Sequence, residues 1–130
     1  DCPPSIGMLT VNALVASDFI LMPMQAEFLP LKGARSFLTH IAKIKKLNKK
    51  LELLGFVLTK FDPRKTMNKQ VLEQLAGEFG EKKIFSSRIR ANIALATAQE
   101  KGKDIFSFDP SSNGAADYKA LAEELLTKIK

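Results

Sequence analysis

The amino-acid sequence predicts an α/β fold in which a doubly wound, mostly parallel sheet is flanked by helices. Short apolar runs of strand length alternate with longer segments whose apolar residues recur every three or four positions. The short runs are continuously apolar, as expected of parallel strands that are buried on both faces. Strand–helix–strand order requires right-handed crossover connections, which place helices on the faces of the sheet.

The first elements are a strand, a helix and a second strand. Residues 19–22 and 53–58 are the two apolar runs. Between them, residues 31–47 carry apolar side chains at helical spacing, which predicts an amphipathic helix. Pro63 interrupts the pattern after the second strand, and a further amphipathic helix is predicted to end near Gly80.

The remaining elements are shorter, except for the last. Residues 84–85 are a weaker candidate for a third strand, and residues 93–100 predict a short alanine-rich helix. Residues 105–108 are predicted to be extended, as a strand or a packed loop. The terminal helix is the clearest element, because a single apolar stripe runs from Tyr118 to Ile129.

The beginning of the chain suggests a part of a larger sheet. Asp1 stands directly before Pro3 and Pro4, and an acid followed by such a turn is expected just after the carboxyl end of a strand. Ligands of open α/β sheets bind at that edge. We therefore expect residues 1–130 to be the C-terminal part of a doubly wound domain whose N-terminal half is missing.

Composition excludes several classes of protein. One cysteine, Cys2, rules out an internal disulfide framework, and no apolar run approaches the roughly 20 residues that span a membrane. The cytoplasm is the expected compartment, and no membrane partner is expected. The one histidine, His40, lies in a predicted helix without a second metal ligand, so neither a metal centre nor a Cys–His nucleophile is predicted.

The formal charge of +6 is concentrated in one stretch. Residues 31–50 contain seven basic residues and no acid. A basic face of this kind attracts DNA or another polyanion, although a solvated helix face is equally compatible with it. The candidate DNA-binding residues in this stretch are Lys45, Lys46, Lys49 and Lys50.

Four segments match, in order, the motifs of one known family. They are D-C-P-P-S-I-G at residues 1–7, P-M-Q-A-E-F-L-P-L-K-G at 23–33, L-G-F-V-L-T-K-F-D-P-R at 54–64 and D-P-S-S-N-G-A-A-D-Y at 109–118. The first resembles the Walker B and switch II segment of ParA/Soj/MinD-type P-loop ATPases, whose Walker A motif is deviant. The other three resemble further motifs of that family, and the chain is also similar, more loosely, to ParA-like proteins of conjugative transposons.

The resemblance implies a function for the full-length protein. It would bind ATP and Mg²⁺, form a face-to-face homodimer around two nucleotides and hydrolyse ATP slowly. Proteins of this family position plasmids, chromosomes or other cargo. They bind DNA nonspecifically as the ATP dimer, and a ParB-like or other partner stimulates hydrolysis.

The resemblance also assigns roles to residues at the start of the chain. Asp1 matches the Walker B acid, the candidate catalytic residue, which would hold Mg²⁺ through water in the full-length protein. Pro3, Pro4, Ser5 and Gly7 would belong to switch II, which senses the γ-phosphate. An ordinary loop in which Ser5 caps the following helix is the alternative.

A second group of candidate residues follows the second strand. Thr59, Lys60 and Asp62 are predicted at the ligand edge of the sheet and are similar to the N-K-x-D base-reading loop of GTPases, with threonine in place of asparagine. In ParA-like proteins this region lies near adenine. A polar turn before Pro63 explains the same residues equally well.

Two departures from the family pattern limit what this chain would do alone. The sequence contains no G-x-x-x-x-G-K-[ST] phosphate loop, so the chain is predicted neither to bind nor to hydrolyse ATP by itself. Where the family has a DNA-binding P-R-N-V-R segment, alanine stands at residues 91 and 94 in place of both arginines. Arg88 and Arg90 could compensate, because phosphate contacts need charge more than identity.

Two other functions stay open at this point. A stand-alone, non-enzymatic α/β module could bind DNA or an acidic partner through the basic helix. A flavodoxin-like or receiver-like domain would need further acids at the strand ends, which Asp1 alone does not supply.

Overall fold

The computed structural model describes Cys2 and residues 5–130, and within them it confirms the α/β class. Three parallel strands lie in the order β1-β2-β3. The helices and strands are α1 Met8–Ala16, β1 Phe19–Gln25, α2 Phe28–Ile44, β2 Glu52–Phe61, α3 Thr66–Phe79, a 3-10 turn at Glu81–Lys83, β3 Ile89–Arg90, α4 Ile93–Glu100, α5 Ile105–Phe108 and α6 Asn113–Lys128.

Helices cover both faces of the sheet, so the middle of the central strand is buried on both sides. Phe56 and Leu58 of β2 face a core formed with α2 and α3, and both are fully buried. Val57, between them, faces the opposite side, where α4 and α6 pack. Helix α1 joins the core at the other end of α2, through Leu14. Two-sided burial explains why β2 is a continuous apolar run in the sequence.

The third strand lies further along the chain than predicted. Ile84 forms only an isolated bridge with Phe56, and the paired strand is Ile89–Arg90. The segment between them leaves the ladder because the Glu124 carboxylate of α6 accepts the backbone N–H groups of Ser86, at 2.8 Å, and Ser87, at 2.7 Å. A partner 37 or 38 positions away gives no local signal in the sequence.

The prediction of an extended segment at residues 105–108 is wrong, because these residues form the short helix α5. The Asp104 carboxylate accepts the backbone N–H of Ser107 at 2.9 Å and its hydroxyl at 2.6 Å. This is an N-cap, which starts a helix by satisfying a free backbone donor.

No helix among the described residues is long and apolar enough to cross a membrane.

Helix α6 is held to β3 and to the segment before it by two carboxylates. Asp117 accepts three hydrogen bonds from the Arg90 guanidinium and one from its backbone N–H, and Glu124 accepts the two serine N–H groups. Burial raises the pKa of both carboxyl groups, but these hydrogen bonds outweigh it. The pKa values therefore lie below the ordinary 3.8 of Asp117 and 4.5 of Glu124.

We expect acid to weaken the attachment of α6. Because the folded-state pKa values are depressed, this stabilisation is complete above pH 4.5 and is lost as the pH falls through the lower folded-state values. Glu124→Gln is expected to lower the free energy of unfolding by about 1.5 kcal/mol at neutral pH and by less near pH 3. Urea denaturation at both pH values measures this, with Glu123→Gln as the control on the exposed side of the same helix. An equal loss at both pH values would contradict the expectation.

Candidate functional site

The carboxyl ends of the three parallel strands meet at one edge of the sheet. A buried side chain, Asn68 of α3, joins the first two of these ends. Its Oδ1 accepts the backbone N–H of Asp62 at 2.8 Å, and its Nδ2 donates to the Ala26 carbonyl at 3.0 Å. Asn68 is only 5% exposed, so these bonds are shielded from water. The loops after β1 and β2 are therefore held in a defined relation.

A cleft of about 290 Å³ opens at this edge, between the ends of β2 and β3. Its walls combine an aromatic ring, a proline, a carboxylate and two guanidinium groups. The lining residues are Phe61, Asp62, Pro63, Arg64, Arg90 and Ala91. Apolar and aromatic surface combined with a few polar groups is the usual lining of a small-molecule site, and it suits a flat ligand with polar groups at its edge.

Asp62 brings a fixed negative charge to the cleft. Its carboxylate accepts the backbone N–H of Arg64 and two guanidinium bonds from the same residue, all at 3.0 Å. These bonds lower the pKa of Asp62 from 3.8 to about 2, the side-chain bond from Arg64 being the main cause. Asp62 is therefore ionised at any physiological pH, and the bent Asp62–Arg64 turn is fixed.

The predicted residues Thr59, Lys60 and Asp62 do lie together at this edge. The register of β2 with β3 shifts between Thr59 and Phe61, so Lys60 is an extra residue in the ladder. Lys60 has a φ of 49°, which is uncommon for a residue with a Cβ. A bulge of this kind redirects a side chain, and such bulges concentrate next to functional sites.

Two polar atoms on residues that flank β3 have no hydrogen-bond partner among the described residues. They are Nε of Arg88 and Oδ1 of Asn92, and both atoms are buried. The guanidinium carbon of Arg88 lies 4.8 Å from the centre of the Phe61 ring, which is a cation–π contact. Asn92 lies immediately before α4, a position at which an asparagine side chain ordinarily caps the helix. Here its side chain makes no capping bond.

The basic residues proposed from the sequence fall into two separate groups. Arg88 and Arg90 are at the carboxyl edge, where Arg88 stacks on Phe61 and Arg90 binds Asp117 at 2.7 Å. The lysines of the loop from residue 45 to residue 50 precede β2 and lie at its amino end. Since β2 has ten residues, the two groups are separated by roughly 30 Å.

The switch residues are described in part. Ser5 and Gly7 precede α1, and the Ser5 carbonyl accepts the hydroxyl of the buried Thr10 at 2.8 Å. The N-cap of α1 is Gly7, without a side-chain capping bond, so the alternative role of Ser5 as a cap is wrong. Asp1, Pro3 and Pro4 lie outside the described residues. Among the described residues, no group of three or more His, Cys, Asp or Glu side chains could hold a metal ion.

Known proteins resemble this chain in sequence and in fold. A family profile described as an AAA domain matches residues 1–53. The chromosome-partitioning ATPase Soj of Thermus thermophilus is 40% identical over 131 residues, which is 100% of this chain and 52% of that protein. The sporulation initiation inhibitor protein Soj of Bacillus subtilis is 40% identical over 126 residues, 96% of this chain and 49% of that protein.

A solved structure has the same fold. Cobyrinic acid a,c-diamide synthase from Mycobacterium smegmatis, with bound ADP and magnesium, superposes with a TM-score of 0.73 at 31% identity. The match covers 97% of this chain and 44% of the synthase chain. The chain thus spans about half the length of the curated relatives it matches. By sequence, the chain corresponds to about half of a ParA/Soj-type P-loop ATPase.

Proposed function

We propose that residues 1–130 are the C-terminal portion of a single ParA-like ATPase domain. In the full-length protein this domain binds ATP and Mg²⁺, dimerises and partitions DNA, whether a plasmid, a chromosome or a mobile element. The observation that carries the proposal is the cleft at the carboxyl edge, in a chain of the same fold as a protein solved with ADP and magnesium.

The cleft has the chemistry to hold the adenine end of ATP. Phe61 and Pro63 contribute apolar surface to the lining of the cleft. The Asp62 carboxylate, also in the lining, is an acceptor for an amino group such as the one adenine carries.

The phosphate end of the nucleotide needs groups beyond these 130 residues. The sequence contains no phosphate loop, so backbone amides and a lysine for the phosphates must come from another part of the protein. Asp1 is the residue we propose to hold the Mg²⁺ shell, where the metal offsets charge on the β- and γ-phosphates. Ser5 and Gly7, which follow Asp1 within the same short segment, would respond to the γ-phosphate as part of switch II.

Exposed apolar side chains around the carboxyl edge support dimerisation through this face. Helices α1, α2 and α4 begin at this edge, and each has a large apolar residue in its first turn that is at least three-quarters exposed. These residues are Met8 at 75%, Leu9 at 76%, Leu29 at 82% and Ile93 at 85%. A second copy of the protein, facing the first across the two nucleotides, would cover them.

The remaining parts of the proposal follow from ATP-dependent dimerisation. The ATP dimer acts on DNA, and a ParB-like or other partner stimulates hydrolysis and so resets it. A protein that uses ATP to move bacterial DNA works in the cytoplasm.

Filling the cleft is the direct test of the proposal. Ala91→Phe in the whole protein places a ring in the cleft and is expected to weaken binding of a fluorescent ATP analogue roughly tenfold or more. Ala42→Phe, on the exposed surface of α2, is the control and is expected to leave affinity unchanged. Light scattering in the same titration is expected to report a doubling of mass. The 130-residue chain alone is expected to show no saturable binding.

Two results would contradict the proposal. Unchanged affinity in Ala91→Phe would remove the cleft as the base site. Absence of nucleotide binding by the whole protein would favour the stand-alone, non-enzymatic module.

A further inference from the structure

Arg90 lies at the carboxyl edge of the sheet, directly beside the end of β2. In the pairing of β2 with β3, Arg90 is the partner of Phe61, and Asp62 is the next residue along the chain. Neighbouring strands lie about 5 Å apart, so the arginine and the aspartate have adjacent backbones, and both side chains line the cleft. The P-R-N-V-R segment of the family has proline where this chain has Arg90, so the guanidinium is a feature of this chain.

Helix α6 fixes the orientation of the Arg90 side chain. The Asp117 carboxylate accepts hydrogen bonds from Nε at 3.0 and 3.2 Å and from Nη2 at 2.7 Å, and it also accepts the Arg90 backbone N–H at 2.9 Å. The Asp117 side chain is only 11% exposed, so water competes little for these bonds. The third nitrogen, Nη1, bonds to none of the described residues. Arg90 is therefore held by one edge and keeps donors for a ligand of the cleft.

Asp62 provides the matching acceptor, but with little spare capacity. Its Oδ1 accepts the backbone N–H and the Nε of Arg64, and its Oδ2 accepts Nη2 of the same residue, all at 3.0 Å. A carboxylate has about four lone-pair directions, so one on Oδ2 is left for a ligand. The pKa of about 2 keeps the group ionised, so it can accept a hydrogen bond but cannot donate one.

The charges around the cleft cancel in pairs. Arg64 lies 3.0 Å from Asp62, and Arg90 lies 2.7 Å from Asp117. A phosphate group gains little from an arginine whose charge is already offset by a neighbouring carboxylate. An uncharged ring that carries both a donor and an acceptor at its edge suits these groups better.

The two purines differ in the groups that they present beside N7 of the ring. Adenine carries a donor there, its N6 amino group, whereas guanine carries a second acceptor, O6. A guanidinium next to a carboxylate therefore matches adenine, because guanine would place O6 against the carboxylate. Guanine could instead turn its N1–H and N2 amino groups to a carboxylate, but both oxygens must then be open, and Arg64 fills Oδ1 of Asp62.

We infer that Arg90 is a specificity-determining residue of the nucleotide cleft, and that together with Asp62 it selects adenine over guanine. Its guanidinium donates to a ring nitrogen of adenine, while the Asp62 carboxylate accepts from the N6 amino group. Asp117 acts through Arg90, as a positioning residue on α6. The inference rests on the proposed function, and it assigns Arg90 to the base of a nucleotide instead of to DNA.

Nucleotide analogues test the contact in the whole, unmodified protein. 7-Deaza-ATP and 1-deaza-ATP each have carbon in place of one ring nitrogen of adenine, and one of the two is expected to bind roughly tenfold more weakly than ATP. Arg90→Met removes the donors and keeps an unbranched side chain. In this variant ATP is expected to bind roughly tenfold more weakly, and the same analogue is expected to bind as well as ATP. Competition against a fluorescent ATP analogue measures each affinity.

The ratio of ATP affinity to GTP affinity is the second readout. The unmodified protein is expected to prefer ATP. The ratio is expected to fall roughly tenfold in Arg90→Met and by a smaller factor in Asp117→Asn, whose neutral amide holds the guanidinium less firmly. Arg35→Met is the matched control, because Arg35 also forms an ion pair, with Glu78 at 2.7 Å, but lies on α2 and does not line the cleft. It is expected to leave both affinities unchanged, and circular dichroism checks that each variant is folded.

Three results would overturn the inference and leave the proposed function standing. They are equal affinity of the unmodified protein for ATP and GTP, equal affinity for ATP and both deaza analogues, and an equal loss of ATP and GTP binding in Arg90→Met. The first two need no variant, so they decide the question even if Arg90→Met does not fold. Absence of nucleotide binding by the unmodified protein would contradict the proposed function and the inference together.

Discussion

Replacing Gly55 with alanine is expected to destabilise the protein by about 3 kcal/mol, a large part of the stability of an ordinary domain. Gly55 is buried in β2, and a Cβ there would collide with the Lys83 carbonyl oxygen and would lie 3.1 Å from the Phe85 ring. The neighbouring atom is backbone, so a rotamer change cannot relieve the clash. The segment would have to move away, which would break the hydrogen bond from the Phe85 N–H to the Phe56 carbonyl, now 2.9 Å.

Gly77→Ala is the matched control for this substitution. Gly77 lies in α3, and a Cβ there meets no atom within 4 Å. Alanine in an exposed helix is expected to stabilise the protein by about 1 kcal/mol. Urea denaturation of both variants measures the two free energies of unfolding. A neutral effect of Gly55→Ala would mean that β2 and the 3-10 turn approach each other less closely than described.

Asn68→Ala is expected to cost about 2 to 3 kcal/mol of unfolding free energy and also to weaken nucleotide binding. The substitution leaves the Asp62 N–H and the Ala26 carbonyl without their partner at a buried position. It therefore removes the connection between the ends of β1 and β2. Because the cleft begins at Phe61 and Asp62, loosening this connection disturbs the proposed base site.

Asn12→Ala is the control for the loss of an asparagine. Asn12 is exposed on α1, so its replacement is expected to change stability by less than about 0.5 kcal/mol. Denaturation and the nucleotide titration are run on both variants. A stable Asn68→Ala protein with unchanged nucleotide affinity would show that water replaces the lost bonds and that the two strand ends are held by packing.

Strand order and motifs in the sequence predicted which edge of the sheet carries the candidate site. A buried strand followed by a polar turn puts Thr59, Lys60 and Asp62 at the carboxyl edge of a parallel sheet, and they lie there. The sequence did not indicate the bulge at Lys60, because register depends on the neighbouring strand. Nor did it reveal Asn68, whose partners lie 6 and 42 positions away.

Apolar periodicity in the sequence determined the α/β class, the order of β1, α2, β2 and α3, and the terminal helix, because burial of one stripe or one run is a local property of the chain. Contacts between distant segments decided the rest. Glu124 moved the third strand to residues 89 and 90, and Asp117 and Phe61 engaged two arginines that looked free in the sequence. Charged groups and hydrogen-bonding groups that are distant in sequence come into contact only when the chain folds, so only the tertiary structure specifies the partner of each.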